Sequence, residues 1–469
     1  MRILTIKAIV LAMLLNPGAG DPASSVDSPA HDAGTIEGIW QGVVSYPGLD
    51  LRVVFKISRT SEGCLAAVMI QPDQGDHESP VSSLTFVDDR LHLKLPAAGT
   101  SFEGRLACDG STIEGRWERG DVSLPLVLHR VTEISKPHRP QTPTPPYPYE
   151  VLEVAYVNPL APARLAGTVT LPREPPPYPA VILISGGGAQ DRDNTILGHR
   201  PFLVMADHLT RRGIAVLRVD DRGVGSSTGD RSSATSADYA DDALAGVAFL
   251  KTLANVDPRR IGLIGHSEGG IIAPLAAARS KDVAFVILLA APGLPGQRYF
   301  DQYDESLGRS LGLPAETITR TRELHRRIYA VLKAEPDRDR AEQRLRVLFS
   351  EFHPDMPEQR VQVSLDRYLR PWYRFILSHD PSETLARLTC PVLAIFGEKD
   401  VQVPPEGNAD AVRRAMAASG NADSRVEVLP NLNHFFQAAT TGAPSEYGEI
   451  EQTIDPAVLD LIATWILDR

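Results

Sequence analysis

The feature that most limits the folds open to this chain is a series of short, almost continuous apolar runs beyond residue 150. The runs lie at residues 180–185, 214–220, 261–265, 283–290 and 392–396. Strands that are buried on both faces of a parallel sheet have this composition. Amphipathic stretches separate the runs, as at 202–212 and 239–253, and residues 425–429 and 456–467 supply a last strand and helix. The alternation predicts an α/β fold in which helices flank a mostly parallel sheet.

One long segment interrupts this alternation. Residues 294–388 contain no strand pattern, only charged helical sequence such as 324–333 and 338–352. Because the segment follows the run at 283–290, an insertion there would place helices over the carboxyl ends of the strands. Ligands of open α/β sheets bind at that edge. The sequence therefore predicts a helical lid at about residues 294–388.

The sequence before residue 150 has a different pattern. Residues 35–131 contain short alternating runs, which are typical of strands with one buried face. These runs lie at 51–57, 84–87, 91–95 and 124–128. Asp88-Asp89 and Asp109-Gly110 stand where tight hairpin turns are expected. The pattern predicts a small β-barrel or β-sandwich domain. The proline-rich residues 136–149 are then a linker to the second domain, 150–469.

The first twenty residues have the layout of a secretory signal peptide. Arg2 and Lys7 precede an apolar stretch at 8–15, and the small residues 18–20 follow it. The apolar stretch is too short to cross a bilayer as a permanent anchor. We therefore expect a signal peptide at 1–20 and export to the periplasm or the medium, with no stable membrane anchor.

Charge and cysteine content narrow the function classes further. The formal net charge of −11 argues against nucleic-acid binding, because neutralising phosphates requires a basic face. Cys64 and Cys108 fall in the same β domain and either form a disulfide after export or stay free. Cys390 begins a predicted core strand and is interpreted as a packing residue. The spacing of the three does not resemble a metal site, so no metal is expected.

The motif that carries chemistry is Gly-His-Ser-Glu-Gly at residues 265–269. It directly follows the apolar residues 261–264 and precedes a helical pattern at 270–278. A strand, a sharp turn and a helix are what a nucleophile elbow requires. Glycines at 265 and 269 allow the tight packing of such a turn. Ser267 is therefore the predicted nucleophile, exposed near a helix N-terminus that favours developing negative charge.

A serine hydroxyl needs a base, and chain order selects one from the twelve histidines. In this arrangement the order is serine, acid, histidine, and only His434 lies beyond the predicted acid. The three histidines of the predicted lid are expected to have surface or packing roles: His325, His353 and His379. His266 adjoins the serine in sequence, but the turn should direct it away from the hydroxyl to pack beneath the elbow.

The acid is expected in the loop after the run at 392–396, which reads Gly-Glu-Lys-Asp. Asp400 is the predicted acid, whose task is to accept the imidazole N–H and fix its tautomer. Glu398 in the same loop is the rival. Asp410 lies in a predicted helix and is a weaker third candidate.

An oxyanion hole requires two N–H donors. One is the amide of the residue after the nucleophile, Glu268. The other is predicted in the glycine-rich loop after the run at 180–185, where Gly187 is the first choice and Gly188 the second. A phosphate-binding loop is not indicated, because neither the lysine nor the glycine spacing of such loops is present.

Two further groups of residues have open interpretations. The loop at 220–225 (DDRGVG) is either a salt-bridged brace at the rim of the site or a metal or anion site, and we favour the brace. Trp372, Tyr373 and Phe375 in the predicted lid either line an acyl pocket or pack helices together.

Five motifs in order resemble those of a known family. They are residues 184–193 (ISGGGAQDRD), 221–229 (DRGVGSSTG), 265–270 (GHSEGG), 397–404 (GEKDVQVP) and 433–437 (NHFFQ). Together, over about residues 150–469, the chain resembles bacterial α/β-hydrolase esterases grouped with the serine-aminopeptidase-like hydrolases. Some members have an N-terminal β domain. The sequence departs from the pattern at GGGAQ, where relatives often carry GSGPQ, which leaves the second oxyanion donor less defined.

The resemblance implies the α/β-hydrolase fold and hydrolysis of short-to-medium acyl esters through an acyl-enzyme, without a cofactor. It also implies Ser267, Asp400 and His434 as the triad and a small-molecule ester as the partner. Cleavage of small peptides or amides is the first alternative. A thioesterase is disfavoured by the export signal, because acyl-CoA is cytosolic. A non-catalytic binding protein is disfavoured by the intact triad.

Overall fold

The structure, a computed structural model, describes residues 35–46, 49–74, 78–95, 100–119, 122–134 and 137–469. The described residues form two β-sheets, one N-terminal and one C-terminal. The predicted signal peptide at 1–20 lies outside the described residues. Among the described residues, no helix is long and apolar enough to span a bilayer.

The N-terminal sheet is antiparallel and has the strand order β4-β3-β2-β1-β9-β8-β7-β6-β5. Its strands are β1 (Gly38–Tyr46), β2 (Leu49–Arg59), β3 (Leu65–Ile70), β4 (Glu78–Pro80), β5 (Ser83–Val87), β6 (Arg90–Leu95), β7 (Thr100–Leu106), β8 (Thr112–Arg119) and β9 (Val122–Val131). Asp88 and Asp89 have φ of 51° and 62° and form the predicted turn between β5 and β6.

This sheet closes into a barrel. Its two edge strands, β4 and β5, are separated in sequence by only two residues. Val81 N donates to Ala67 O of β3 (3.0 Å), and Ser82 N donates to Lys94 O of β6 (2.8 Å). One stretch of chain thus pairs first with β3 and then with β6, so the pairing runs around a ring. Large aromatic side chains fill the interior, among them Trp40, Phe55 and Phe102. Cys64 and Cys108 are free thiols.

The C-terminal sheet has the order β10-β11-β13-β12-β14-β15-β16-β17. Its strands are β10 (Glu150–Asn158), β11 (Ala163–Leu171), β12 (Tyr178–Ile184), β13 (Ala215–Val219), β14 (Val256–His266), β15 (Phe285–Leu289), β16 (Val392–Gly397) and β17 (Ser424–Leu429). From β13 through β17 neighbouring strands are parallel, and β10 and β11 are antiparallel additions at one edge. The inner strands β11 to β16 are largely buried, in agreement with their apolar sequences, whereas the edge strands β10 and β17 are partly exposed.

Helices cover both faces of this sheet. On one face lie α1 (Pro201–Arg211) and α11 (Pro456–Leu467); on the other lie α2 (Ser236–Leu250), α3 (Gly269–Ala277) and α10 (Pro405–Ser419). α2 begins with a capping box, in which Thr235 N and Oγ1 both donate to Asp238 Oδ2. The predicted fold class is confirmed: a mostly parallel sheet flanked by helices, with a helical insertion, follows a small all-β domain.

The insertion between β15 and β16 is helical throughout its regular structure. It comprises α4 (Gly296–Ser310), α5 (Ala315–Ala334), α6 (Arg338–Phe352), α7 (Glu358–Tyr368), α8 (Pro371–Ser378) and α9 (Pro381–Leu385). Proline or aspartate precedes or opens each helix from α5 onward, as helix starts favour. Buried residues of the insertion, such as Ile328 and Phe349, belong to the same apolar core as the sheet. The insertion therefore packs firmly on the sheet.

The barrel and the C-terminal sheet share apolar contacts and a bound linker. Leu197 and Tyr447, from loops of the C-terminal part, are buried in the barrel core. In the linker, Arg139 Nη2 donates to Leu197 O (2.7 Å), and Gln141 Nε2 donates to Ile454 O (2.7 Å). The described part of the proline-rich segment is thus held along the C-terminal part of the protein.

Candidate active site

Ser267 occupies a strained turn between β14 and α3. Its φ of 55° lies in the left-handed region that non-glycine residues seldom adopt. A Cβ on Gly265 would lie 2.0 Å from Gly269 O, and one on Gly269 would lie 2.3 Å from Ile184 O. The chain can fold this tightly because both positions are glycine. The result is the strand–turn–helix predicted for a nucleophile elbow.

Asp400 and His434 are brought together by the loops that follow β16 and β17. His434 Nδ1 donates to Asp400 Oδ2 at 2.7 Å, and each residue is only 3% exposed. The other carboxylate oxygen, Oδ1, accepts from the amides of Gln402 (2.7 Å) and Val403 (2.8 Å). The imidazole tautomer is therefore fixed, with its Nδ1 proton on the aspartate side.

The rival acids are directed elsewhere. Glu398 is exposed, and its Oε2 accepts from Asn431 N at 2.9 Å. Asp410 lies on α10 and forms an ion pair with Arg413. Of the three candidate acids, the structure pairs Asp400 with His434.

His266 has a role that the sequence did not specify. Its Nε2 donates to His434 O at 2.9 Å, and the two rings lie 4.8 Å apart. Burial, together with the nearby His434 ring, lowers the pKa of His266 to about 3, so the ring is neutral at physiological pH. It packs beneath the turn as predicted, and it also ties the elbow to the histidine loop. Its place beside the nucleophile was the only signal in the sequence.

The three histidines of the helical insertion have their contacts away from Asp400 and His434. His325 is buried between α4 and α5, where its Nδ1 donates to Asp304 Oδ2 at 2.5 Å. His379 stacks on Phe375, with ring centroids 5.4 Å apart. His353 follows α6 as its C-cap.

The predicted oxyanion donors have amides that remain available. Among the described residues, no turn or loop hydrogen bond is donated by the N–H of Gly187 or Glu268. The glycine loop passes Ser267 closely at Gly186, where a Cβ would lie 3.1 Å from Ser267 Cβ and 3.6 Å from its Oγ. Gly186 was not among the predicted donors, because three successive glycines give no signal for which one meets the serine.

The loop after β13 is the salt-bridged brace that we favoured. Arg192 Nη2 donates to Asp220 Oδ2 at 2.8 Å, and Arg222 Nε donates to Asp242 Oδ2 at 2.7 Å. Asp221 accepts from Ser185 Oγ (2.7 Å) and Gln190 N (3.0 Å), which links the brace to the glycine loop. The described residues contain no group of three or more side chains that could hold a metal ion.

Asp221 gives this brace a pH dependence. Burial raises the pKa of its carboxyl to about 7, from 3.8, against the opposing effect of its two hydrogen bonds. Between about pH 4 and 7 the Asp221 carboxyl is ionised in the unfolded chain but still protonated in the folded protein. The free energy of unfolding therefore falls as the pH rises through this range. In Asp221→Asn that fall is absent. The melting temperature of the variant minus that of wild type should therefore rise from pH 4 to 7 in thermal scans.

The matched control for this measurement is Asp230→Asn. Hydrogen bonds from Ser233 and Ser232 lower the pKa of Asp230 to about 2, so it titrates below the window and its difference from wild type should stay constant there. If the melting temperature of Asp221→Asn minus that of wild type stays constant or falls between pH 4 and 7, the expectation is contradicted.

A pocket opens beside Glu268 of the elbow, and Ser267, Asp400 and His434 are not part of its wall. Its wall includes Gly186, Gly187 and Glu268 from the sheet side and Arg367, Arg370, Trp372 and Tyr373 from the insertion. Trp372 Nε1 and Ser236 Oγ both donate to Glu268 Oε1, at 2.6 and 2.7 Å. Burial raises the pKa of Glu268. Trp372 and Tyr373 thus line the pocket, whereas Phe375 packs on His379.

Comparison with known proteins agrees with this architecture. Residues 181–443 match the model of the alpha/beta hydrolase family. Esterase EstD of Thermotoga maritima is 28% identical over 307 residues, which are 65% of this chain and 65% of EstD, so the chain spans less than two thirds of that relative's length. An uncharacterized 31.7 kDa protein of Escherichia coli is 24% identical over 201 residues, 43% of this chain and 68% of that protein. A hypothetical protein of Pseudomonas aeruginosa has a solved structure that covers 72% of this chain and 98% of its own, with a TM-score of 0.43 and 18% identity.

Proposed function

Because the chain belongs to the α/β-hydrolase family, we propose that it is a serine hydrolase that cleaves carboxylic esters through an acyl-enzyme. Ser267, Asp400 and His434 are its triad. The observation that carries this proposal is the buried 2.7 Å hydrogen bond between His434 and Asp400, in loops next to the strained turn of Ser267. The similarity to EstD, whose name describes an esterase, supports the choice of esters.

Each group in the site has one task in this reaction. Asp400 engages Nδ1 of His434, which leaves Nε2 to take the proton of Ser267 as its Oγ attacks the ester carbonyl. The amides of Glu268 and Gly187 receive the negative charge that develops on the carbonyl oxygen. When the intermediate collapses, His434 returns the proton to the leaving alcohol. Water, activated by the same histidine, then releases the acid and frees Ser267.

The pocket adjoins the predicted oxyanion residues Gly187 and Glu268, and we assign to it the acyl group of the substrate, of short or medium length. Apolar side chains such as Leu165, Ile182 and Ile272 form part of its wall. Burial of each methylene of an acyl chain against such a wall contributes about 0.8 kcal/mol. Affinity should therefore rise with chain length until the pocket is filled.

Amide or small-peptide hydrolysis is the second candidate, and Glu268 favours it. Only Oε1 of this carboxyl accepts the hydrogen bonds from Ser236 and Trp372. Oε2 is directed at the glycine loop, 3.0 Å from the position a Cβ on Gly187 would take. An amino group of a substrate would find an oxygen of the Glu268 carboxyl group at this wall of the pocket.

A substrate panel separates the two candidates. We expect kcat/KM for p-nitrophenyl butyrate to exceed that for aminoacyl p-nitroanilides by at least about 100-fold, or about 2.7 kcal/mol of transition-state stabilisation. Within the series acetate, butyrate, octanoate and palmitate, the maximum should lie at butyrate or octanoate. Ser267→Ala, assayed alongside, sets the background. A preference for the anilides would reverse the ranking in favour of the peptidase.

A further inference from the structure

Tyr447 joins the N-terminal barrel to the loops that carry the triad. It follows a short 3₁₀ turn at Pro444–Glu446, beyond the histidine loop. Its side chain belongs to the barrel core, together with Leu197, and the residue is 2% exposed. A residue of the C-terminal part thus completes the interior of the N-terminal part.

The hydroxyl of Tyr447 reaches the acid loop. Gln402 Nε2 donates to this hydroxyl at 3.1 Å. The backbone amide of the same Gln402 donates to Asp400 Oδ1 at 2.7 Å. Tyr447 therefore holds the residue that in turn holds the carboxylate.

The ring of Tyr447 reaches the histidine loop. Phe435 meets it edge to face, with ring centroids 5.3 Å apart and planes at 83°. Phe435 directly follows His434, and their rings lie 5.6 Å apart at 80°. The centroid of the Phe435 ring also lies 5.2 Å from that of the His266 ring. The half-buried Phe435 ring thus contacts Tyr447 as well as His266 and His434.

The backbone around Tyr447 is fixed independently. His199 Nε2 donates to Tyr447 O at 2.9 Å, and Arg139 Nη2 from the linker donates to Gly448 O at 2.8 Å. Leu197 N in turn donates to Asp73 O in the barrel. The barrel, the linker and this segment are therefore joined by polar contacts as well as by apolar ones.

We propose that Tyr447 is a positioning residue through which the N-terminal barrel holds the Asp400 and His434 loops in place relative to Ser267. The inference rests on the proposed triad. Tyr447 touches no reacting atom; it acts through Gln402 on the acid and through Phe435 on the base. Such an arrangement affects turnover strongly, because a displacement of about 1 Å in a catalytic group lowers a rate by about 100-fold.

A barrel that served only as a separate binding module would predict different consequences. Substitutions at Tyr447 would then alter KM or overall stability and leave kcat unchanged. The two possibilities are distinguished by which kinetic constant changes, because loss of transition-state geometry alone lowers kcat.

The experiment uses the full chain and measures kcat, KM, the melting temperature and the rate of fluorophosphonate labelling. Tyr447→Phe removes one hydrogen bond and should lower kcat about fivefold, and Tyr447→Leu also removes the ring and should lower it about 30-fold. KM should stay within twofold of wild type, and labelling should slow in parallel with kcat.

The matched controls are Tyr149→Phe and Tyr149→Leu. Tyr149 is also buried, and its hydroxyl donates to Asp207 Oδ1 (2.8 Å), away from the triad loops.

A double substitution tests the route through Gln402. If Tyr447 acts on Asp400 through this side chain, Tyr447→Phe combined with Gln402→Met lowers kcat no further than the more damaging single change. Both are conservative replacements, so they decide the question even if Tyr447→Leu does not fold.

Three results would overturn the proposal: kcat of the Tyr447 variants within twofold of the Tyr149 controls, a loss confined to KM, or additive effects in the double variant. Failure of the proposed function has a different signature. In that case fluorophosphonate does not label wild type, or it still labels Ser267→Ala. Normal labelling of wild type with unchanged kcat in the Tyr447 variants removes only the role of Tyr447.

Discussion

Replacing Ser267 with alanine is expected to lower kcat by about a million-fold and to abolish labelling by a fluorophosphonate. The substitution removes the attacking oxygen, and neither His434 nor the oxyanion amides can replace it. Residual hydrolysis above the rate in water would come from the oxyanion site and substrate binding alone. The fold should persist, because alanine leaves the Ser267 amide free to keep its bond to Leu289 O (2.8 Å).

The measurement is turnover of p-nitrophenyl butyrate together with gel detection of the labelled protein. Ser280→Ala is the matched control. Ser280 lies in the loop beyond α3, where its Oγ accepts from Asp282 N, and its loss should change neither readout. Labelling or turnover near wild-type levels in Ser267→Ala would show that another residue is the nucleophile.

Replacing Asp400 with asparagine should lower kcat by about ten-thousand-fold while the protein remains folded. The amide oxygen of asparagine can keep the bonds from the Gln402 and Val403 amides, so its NH₂ group faces His434. An NH₂ group donates to Nδ1, which forces the imidazole proton onto Nε2. In that tautomer His434 cannot accept the serine proton.

Glu398→Gln is the control for this variant, since it makes the same chemical change in the same loop. Its carboxylate is exposed and bonded to Asn431 N, so kcat should stay within about twofold of wild type, as for most surface substitutions. Steady-state kinetics of the two variants, with melting temperatures, give the comparison. Equal losses, or a larger loss in Glu398→Gln, would contradict the assignment of Asp400.

The features that sequence analysis predicted well are those encoded locally. The elbow at Ser267 depends on two glycines, an apolar strand and a helix within a few residues. Chain order then directed attention to His434 and to one short loop for the acid. The apolar runs of the C-terminal sheet were recognisable for the same reason: the inner strands β12 to β16 are buried on both faces, so each is apolar along most of its length.

Features that depend on the path of a loop were less predictable. Glu398 and Asp400 lie two residues apart, and only the backbone bonds to Gln402 and Val403 turn Asp400 toward His434. Similarly, three identical glycines gave no indication that Gly186 passes closest to Ser267. In both cases the deciding contacts are backbone geometry that residue type does not specify.

The contact between the barrel and the C-terminal part, and the way the barrel closes, were not predicted. Tyr447 lies in a loop without hydrophobic periodicity, so nothing in its surroundings connects it to a barrel more than 300 residues earlier. Closure of the barrel through Val81 and Ser82 was also hidden, because Pro80 resembles an ordinary break between strands. Burial of one aromatic ring against a distant sheet leaves no local pattern.

The barrel interior, which contains Leu197 and Tyr447, has a consequence for how the gene can be divided. The linker reads as a natural place to cut, yet a fragment that ends there lacks two of the side chains that fill its own core. During synthesis the ribosome must pass residue 447 before that core can be filled. Grafting the barrel onto another enzyme would therefore require transferring the segment around Tyr447 as well. The complete folding unit is thus encoded by separate stretches of the gene.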